Sequence, residues 1–445
     1  MNNTKARRTA TGLVLALAMG LTTQAAENVN VTVSKIKDLN LRVYGFVETD
    51  YIHDTTEGLC EEEGNSAIQK RSTYAGQHDR TQMSVRNSRL GFDLTVPKTE
   101  FGLDSEGIIE LDFLGNNAAT YTPGAAVPTV QTERDFFNNP AVRVRHAYAN
   151  LTYDDWNAKL GQTWSLLGWQ PYYFPGEVIV QPGPGQLYRR FVQARVMNTQ
   201  RLGDAWTFES AADIAKPAQM NSGSPEWHGG LRLASTKWKA ASVGGGGNAS
   251  MVGLSAAVSG ALIPIRTTVG DPTGQAIAFD AAVPIIPSTD GKNRSNTLIW
   301  MGEFMSGNGV GGLEYSGLSS GVGAIPLATA GAAAIDSGIA GVNGNGDAEL
   351  IRYRTWRTHL QYSLPGGKWA TSVGYAQVEA RNLDRFGAAT SLYPKIQFAY
   401  ASLMYDPLAW LRFGAEWNQT RDTYNDANNR HAINNRAQVS TFLMF

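Results

Sequence analysis

The sequence predicts an all-β protein, a transmembrane antiparallel β-barrel of about 16 strands over residues 41–445. Segments that alternate apolar and polar residues recur along the chain, and helical periodicity is almost absent. The connections between these segments alternate between long and short, which is typical of outer-membrane barrels. The chain also begins with an export signal and ends in an aromatic residue, Phe445. Together these features favour a location in a bacterial outer membrane.

Residues 1–25 are predicted to be a signal peptide. Three cations precede a short apolar run, Leu13–Leu21, and small residues follow it, so we expect cleavage after Ala25. The apolar run is too short for a transmembrane helix, which needs roughly 20 residues. Residues 26–40 are then expected to form a short periplasmic segment before the first strand.

The composition permits a barrel and excludes a polyanion partner. A hydrophobic content of 42% with 47 Gly suits a barrel, because only alternate residues of each strand face lipid. Without the three cations of the signal the chain has 35 basic and 39 acidic residues, so no nucleic-acid partner is expected. Cys60 is the only cysteine, which excludes an intramolecular disulfide. No cofactor or metal site is expected.

Sixteen strands are predicted in all. They cover residues 42–52, 82–96, 104–114, 142–153, 156–165, 191–202, 205–215, 227–235, 237–243, 250–262, 296–306, 350–363, 368–379, 395–405, 410–420 and 433–445. Tight turns such as Asp154-Asp155 and Gly203-Asp204 follow even-numbered strands, and long loops follow most odd-numbered ones. One connection, residues 263–295, is long where a short turn is needed. Either it contains another hairpin around residues 275–286, or the strand count there is wrong.

Alternation within the strands predicts which side chains face the lumen. In the fifteenth strand Arg412 and Glu416 share one face, and Phe413 and Trp417 share the other. An arginine facing lipid near the midplane costs roughly 2–4 kcal/mol, so the polar face is predicted to point inward. The same parity places two sets of residues in the lumen. The arginines are Arg89, Arg143, Arg145, Arg195, Arg201, Arg352, Arg354 and Arg412; the carboxylates are Glu48, Asp50, Glu110, Asp112 and Glu416.

The lumen arginines suggest a preference for small anions. Of the 38 basic residues 26 are arginine, whose guanidinium group binds carboxylates and phosphates through two parallel hydrogen bonds. The alternative is that these arginines and carboxylates only pair with each other across strands. Two residues have the opposite parity: Arg357 is expected above the bilayer or in a subunit contact, and His146 in an interface or aromatic belt.

The connection 166–190 is the third external loop and is predicted to fold into the lumen. A barrel of 16 to 18 strands leaves an aqueous channel that such a loop can narrow. Four prolines stiffen the loop, Arg189 and Arg190 lie at its exit, and its aromatic residues would be poor groups to expose to water. An ordinary surface loop is the alternative.

Several motifs make the chain resemble the outer-membrane porins of Gram-negative bacteria, and among them the DcaP-type trimeric porins. They are Arg42-Val-Tyr-Gly-Phe-Val-Glu-Thr-Asp50, Asn87-Ser-Arg-Leu-Gly-Phe-Asp93, Arg143-Val-Arg-His-Ala-Tyr148, Leu160-Gly-Gln-Thr-Trp-Ser165, Pro184-Gly-Gln-Leu-Tyr-Arg-Arg190 and Gln193-Ala-Arg195. The resemblance covers the first half of the barrel well and the second half mainly by pattern.

The resemblance implies a 16-stranded homotrimer with a basic constriction that passes small dicarboxylates and similar anions. By that likeness the arginines that line or approach the constriction are Arg89, Arg143, Arg145, Arg189, Arg190 and Arg195. The expected partners are outer-membrane lipid, lipopolysaccharide, small anionic solutes and the barrel-assembly machinery, which would contact the last strand ending at Phe445.

Three other function classes are alternatives to a passive channel. A barrel enzyme such as a lipase or protease needs a nucleophile and a base in contact, and the six histidines are scattered outside recognisable motifs. A gated uptake receptor needs a plug domain, for which residues 27–40 are too few. A substrate-selective channel differs from a general porin by only a few lumen side chains, so it remains an alternative. The sequence therefore predicts a passive channel and not an enzyme.

Overall fold

The protein forms a closed barrel of 16 antiparallel strands, which confirms the predicted fold class. The computed structural model describes residues 39–57, 61, 68–115, 140–174, 176–178, 183–217, 222–247, 250–311, 329–330, 333–334, 338–387, 392–428 and 430–445. The predicted signal peptide, most of the segment 26–40 and Cys60 lie outside these residues. In the described part of the chain no helix is long and apolar enough to cross a membrane.

The barrel strands are numbered here in chain order. They are β1 (Asn40–Asp54), β2 (Arg80–Ser84 and Arg89–Val96), β3 (Asp104–Gly115), β4 (Ala141–Tyr153), β5 (Trp156–Trp164), β6 (Arg190–Leu202), β7 (Trp206–Ala215), β8 (Glu226–Ser242), β9 (Ser250–Pro264), β10 (Thr273–Ile286), β11 (Thr297–Asn308), β12 (Arg352–Ser363), β13 (Trp369–Ala380), β14 (Lys395–Leu408), β15 (Leu411–Thr423) and β16 (His431–Met444). A four-residue helix, Tyr74–Gln77, and a 3-10 helix, Leu383–Phe386, lie in connections. Two short hairpins, Thr329–Ala330 with Ala333–Ala334 and Ala340–Val342 with Ala348–Leu350, lie between β11 and β12.

Pairing between the first and last strands closes the barrel. Phe46 to Asp54 of β1 pair in register with Met444 to Arg436 of β16, and β1 pairs on its other side with both parts of β2. Gly45 and Phe445 extend this pairing by two backbone hydrogen bonds, in which the N–H of each residue donates to the carbonyl oxygen of the other at 3.0 Å. The terminal residue is therefore part of the closure, and the sheet has no free edge.

Two errors in the strand prediction cancel in the count. Residues 227–235 and 237–243 are not two strands but one, β8. Its pairing with β9 shifts register between Gly253 and Ser255, and the exposed pair Thr236-Lys237 interrupts the alternation at that point. The predicted break is therefore a bulge within one long strand.

The second error concerns residues 263–295, which contain the missed strand β10. Its inward positions include Ala276, Ala278 and Ala282, which pack against buried residues of the β5–β6 connection. A strand with an apolar inner face has no alternation of polar and apolar residues, so the sequence pattern failed. With β10 in place, the connection divides into residues 265–272 at one end of the barrel and 287–296 at the other.

All connections now alternate between the two ends. The end that we call the turn end has residues 97–103, 154–155, 203–205, 243–249, 287–296, 364–368 and 409–410. The opposite end, the loop end, has residues 55–79, 116–140, 165–189, 216–225, 265–272, 309–351, 381–394 and 424–430. The predicted sorting of long and short connections therefore holds for most of the barrel, but residues 287–296 at the turn end form a longer connection than residues 265–272 and 424–430 at the loop end.

The facing predicted for β15 is confirmed. Arg412 and Glu416 are buried, whereas Phe413 and Trp417 are exposed on the outside. The same period of two runs along β10 and β16, where residues such as Phe279 and Val439 give the barrel an apolar outer surface. The inner face of the barrel carries many buried polar residues, and it is apolar at some positions that connections cover, such as Tyr353 of β12.

Candidate pore constriction

A basic cluster on β4 faces two carboxylates on β3. The Arg145 guanidinium bonds Glu110 Oε1 at 2.7 Å and Asp112 Oδ2 at 2.9 Å. Arg143 binds both oxygens of Asp112, at 3.0 Å through Nε and 2.6 Å through Nη2. Arg145 is fully buried, whereas Arg143 remains partly exposed. Two guanidinium groups therefore share two carboxylates at one side of the lumen.

A bulge in β4 brings an additional residue into this cluster. Glu110 pairs with His146 and Leu111 with Val144, so Arg145 is the extra residue of β4. His146 is consequently buried inside the barrel, with its ring 5.2 Å from the ring of Trp164. The prediction of His146 as an interface or belt residue is wrong, because the bulge changes the parity on which it was based.

Two further arginines extend the basic cluster. Arg190, at the start of β6, lies over the rings of Trp164 and Tyr188, at 4.9 and 5.1 Å. Arg89 of β2 lies 5.3 Å from the ring of Phe46. Such placements leave a cation on an aromatic face, where the ring quadrupole stabilises it without cancelling its charge. Four guanidinium groups, Arg89, Arg143, Arg145 and Arg190, therefore surround two carboxylates.

The Tyr188 phenol lies in the β5–β6 connection and responds to the field of this cluster. Burial acts to raise the pKa of Tyr188, but the positive charges of Arg190, Arg145 and the two other arginines outweigh it, and its pKa is lowered. A lowered pKa means that a negative charge is favoured at this position. The cluster thus provides a positive potential inside the barrel.

Two other predicted arginines are neutralised by carboxylates: Arg189, at the end of the β5–β6 connection, and Arg195, on β6. Arg189 pairs with Glu226, and Arg195 Nε bonds Asp213 Oδ2 at 3.1 Å. His228 Nδ1 contacts the other oxygen of Asp213. At these positions the alternative given in the sequence analysis is correct, because the arginines pair with carboxylates on other strands.

The first part of the β5–β6 connection, residues 165–174, contacts the inner face of β9. Gly168 N donates to Ser259 Oγ at 2.9 Å, Trp169 Nε1 donates to the Val258 carbonyl at 3.0 Å, and Tyr173 OH donates to Ser255 Oγ at 3.2 Å. β9 is three strands away from β6, where the connection rejoins the barrel.

The later part of this connection contacts strands still farther around the barrel. Val178 N donates to Glu416 Oε2 of β15 at 2.8 Å, and Ser402 Oγ of β14 donates to the Gly176 carbonyl at 2.6 Å. Leu187 N donates to Glu303 Oε1 of β11 at 2.7 Å. A Cβ at Gly176 would lie 2.2 Å from Gln361 Nε2 and from Ser372 Oγ, so a larger residue would have to displace these side chains.

Arg357 of β12 holds the same connection in place. It is buried, forms an ion pair with Glu177 and donates to the Pro184 carbonyl at 3.2 Å. The expectation that Arg357 lies above the bilayer or in a subunit contact is therefore wrong. Its partner was invisible in the sequence because the two residues are 180 positions apart.

The parity assigned to Arg352 and Arg354 is also wrong. Both are exposed on the outer face of β12, while Tyr353 is buried and donates through its hydroxyl to the Gly338 carbonyl at 2.7 Å. The inward side chains are apolar here because the β11–β12 connection packs against them.

Arg201 is exposed near the turn end, and Arg412 is buried in a bidentate pair with Asp406.

An open cavity of about 660 Å³ borders the basic cluster. Its wall includes Arg89, Arg145, Trp164, Tyr172 and Arg232. Among the described residues no group of three or more histidine, cysteine or acidic side chains could hold a metal ion.

Comparison with known proteins gives the fold independently. No protein-family model and no curated protein matches the sequence. Among solved structures, the outer membrane channel DcaP of Acinetobacter baumannii is 16% identical with a TM-score of 0.62, covering 92% of this chain and 97% of that one. An anion-selective porin from Comamonas acidovorans is 11% identical with a TM-score of 0.55, covering 92% and 100%.

A third match is OmpF of Salmonella typhi in complex with daunomycin, 11% identical with a TM-score of 0.50, covering 91% of this chain and 98% of that one. At these identities the likeness concerns architecture, and it extends over nearly the whole length of each protein. The resemblance predicted from the motifs is thereby confirmed at the level of the fold. The chain has the fold of the outer-membrane porins and is similar to the DcaP channel.

Proposed function

We propose that the protein is a passive channel of the bacterial outer membrane that conducts small hydrophilic solutes and prefers small anions. The observation that supports the preference is the group of four guanidinium groups around Glu110 and Asp112. Four guanidinium groups face these two carboxylates, next to an open cavity whose wall includes Arg89 and Arg145. A positive wall of low dielectric raises the local concentration of anions and repels cations.

The arginine geometry favours carboxylates among the anions. Arg190 lies on aromatic faces, and no carboxylate lies within salt-bridge distance of it in the described part of the chain. A solute carboxylate could therefore accept two parallel hydrogen bonds from its guanidinium group. A dicarboxylate could in addition contact Arg143, which is partly exposed, so small dicarboxylates are the proposed solutes.

The proposed partners follow from the outer surface. Residues such as Val47, Leu231, Phe279 and Val439 are exposed on the outside of the barrel and need lipid or another subunit to cover them. We therefore place the barrel in the outer membrane as a homotrimer, in contact with lipid and lipopolysaccharide. Phe445, at the seam, is the proposed point of recognition by the assembly machinery.

Among the described residues, a catalytic function has a candidate group at His228. Its Nδ1 contacts Asp213, as the histidine of a hydrolase would, but its Nε2 lies 3.7 Å from Glu226 Oε2. No hydroxyl lies at hydrogen-bond distance from Nε2 among the described residues. A general base needs its nucleophile within reach. The site therefore favours a channel over an enzyme.

The test is electrical. Purified protein is inserted into a planar bilayer, the reversal potential is recorded across a KCl gradient, and succinate is then added. We expect stable conductance steps, a reversal potential on the chloride side and a concentration-dependent reduction of current by succinate. Propionate, of similar size with one carboxylate, is the matched control and should reduce the current less. A folded protein that inserts without conducting would contradict the proposal.

A further inference from the structure

The tip of the β8–β9 hairpin lies inside the barrel rather than beyond its turn end. Ala240 and Ala241 near the end of β8, and Val243 just after it, are almost inaccessible to solvent. Ala241 N donates to Thr297 Oγ1 of β11 at 3.3 Å. A connection that merely reversed the chain at the membrane surface would expose these residues.

Polar side chains from the far wall hold the tip, which we define as residues 243–247. Gln361 of β12 makes two hydrogen bonds of 2.6 Å with Val243, donating to its carbonyl and accepting from its N–H. Arg412 of β15 donates to the carbonyls of Gly244 and Gly247 while it remains paired with Asp406. The tip therefore reaches strands that are four and seven positions away from β8 around the barrel.

The tip also meets the β5–β6 connection. Gly245 N donates to the Glu177 carbonyl at 3.0 Å. Val243 packs with Val178 in an apolar cluster that includes Phe46, Met404 and Phe442 on the wall. Two connections that enter from opposite ends of the barrel thus meet in the lumen through an apolar contact.

The four consecutive glycines, residues 244–247, allow this approach. A Cβ on Gly245 would lie 2.0 Å from the Val178 carbonyl, and one on Gly246 would lie 2.4 Å from the ring of Phe46. Gly246 also has φ +59°, a left-handed conformation that glycine adopts without strain. No larger residue fits at either position without moving the backbone.

We infer that the tip is a second constriction element, which with the β5–β6 connection restricts solutes to the basic side of the lumen. The cavity next to the arginine cluster is bounded by Gly244, Gly245 and Gly247 on one side and by Arg89 and Arg145 on the other. The tip would therefore set the maximum size of a solute and direct it along the basic wall. This inference rests on the proposed channel function.

Two variants test the inference. Arg412→Gln removes the hydrogen bonds to Gly244 and Gly247, and a shortened variant replaces residues 243–249 with Asn-Gly. Arg294→Gln is the matched control, because Arg294 bonds Asp406 at 2.7 Å but does not contact the tip. Folding of each variant is checked first by heat-modifiable mobility on gels, and single-channel conductance in KCl and liposome swelling with the trisaccharide raffinose are then measured.

If the tip fills part of the cross-section, its release should raise the conductance roughly twofold and admit raffinose at a higher rate. Arg294→Gln should conduct like the wild type. If the wild type conducts and both tip variants keep its conductance and its raffinose rate, the inference is wrong while the channel function stands. If the folded wild type does not conduct, the proposed function itself fails. The shortened variant decides the matter if Arg412→Gln does not fold.

Discussion

Replacement of Arg190 by Gln should reduce the anion preference by an amount that the geometry allows us to estimate. The guanidinium carbon of Arg190 lies about 5 Å from the rings of Trp164 and Tyr188, and Trp164 also lines the cavity. We therefore take about 5 Å as the distance between this charge and a solute ion that passes Trp164. At that distance in water, the interaction energy between the guanidinium charge and a monovalent ion is about 0.8 kcal/mol. Salt at 0.1 M screens this interaction with a Debye length of about 10 Å, which lowers the interaction energy to about 0.5 kcal/mol.

This energy acts with opposite sign on the two ions. Chloride loses a factor of about 2.3 in occupancy and potassium gains the same factor, so the chloride-to-potassium permeability ratio should fall about 5-fold. The reversal potential across a KCl gradient measures this ratio directly. The effect should weaken as the salt concentration rises, because counterions screen the site.

Arg354→Gln is the matched control for Arg190→Gln. It removes the same charge from the outer face of β12, where the side chain is exposed away from the lumen. We expect no change in the permeability ratio for this variant. If both variants change the ratio equally, selectivity depends on total charge and not on the lumen cluster. If neither changes it, the assignment of the constriction to this wall is refuted.

Three further predictions concern stability, topology and the β5–β6 connection. Val439→Arg places a cation on the lipid face of β16 and should lower the free energy of unfolding by roughly 2–4 kcal/mol in denaturant titrations, whereas Val439→Leu should not. An epitope inserted after Gly270 should be detected on intact cells, and one inserted after Gly291 only after permeabilisation; detection of both would contradict the place of β10. Gly176→Val should displace the connection, because its side chain would collide with Gln361 and Ser372, and should change single-channel conductance. Gly344→Val is the control and should leave the conductance unaltered, because no atom lies within 4 Å of the added Cβ.

The sequence predicted the barrel because its strands obey a simple rule over most of their length. Polar residues face the lumen and apolar residues face outward, as in β15. The rule failed on β12, where Tyr353 is inside and the flanking arginines are outside. The physical reason is that the inner face must be polar only where it meets water or ions. Around Tyr353 the β11–β12 connection packs against the wall, so the inner face is apolar there and parity read from polarity is inverted.

The arginine cluster was predictable in part for the same reason. Arg143 and Arg145 lie on a strand whose inner face meets the open cavity, so their parity was informative. The pairs formed by Arg189 and Arg195 with Glu226 and Asp213 were not predicted individually, because each joins side chains on different strands. Sequence periodicity gives the face of a residue, but the register between strands decides which charges cancel.

The contacts of the β8–β9 tip illustrate what a sequence could still have revealed. A hairpin that only reverses direction needs one or two glycines at positions with positive φ. Four in succession, residues 244–247, exceed that requirement, and an apolar residue, Val243, precedes them. Such a segment has no side chains to oppose close approach and is therefore suited to packing against other backbone, as it does at Val178 and Phe46. Its partners Gln361 and Arg412 lie more than a hundred positions away, so glycine content could indicate an inserted turn but not the wall that holds it.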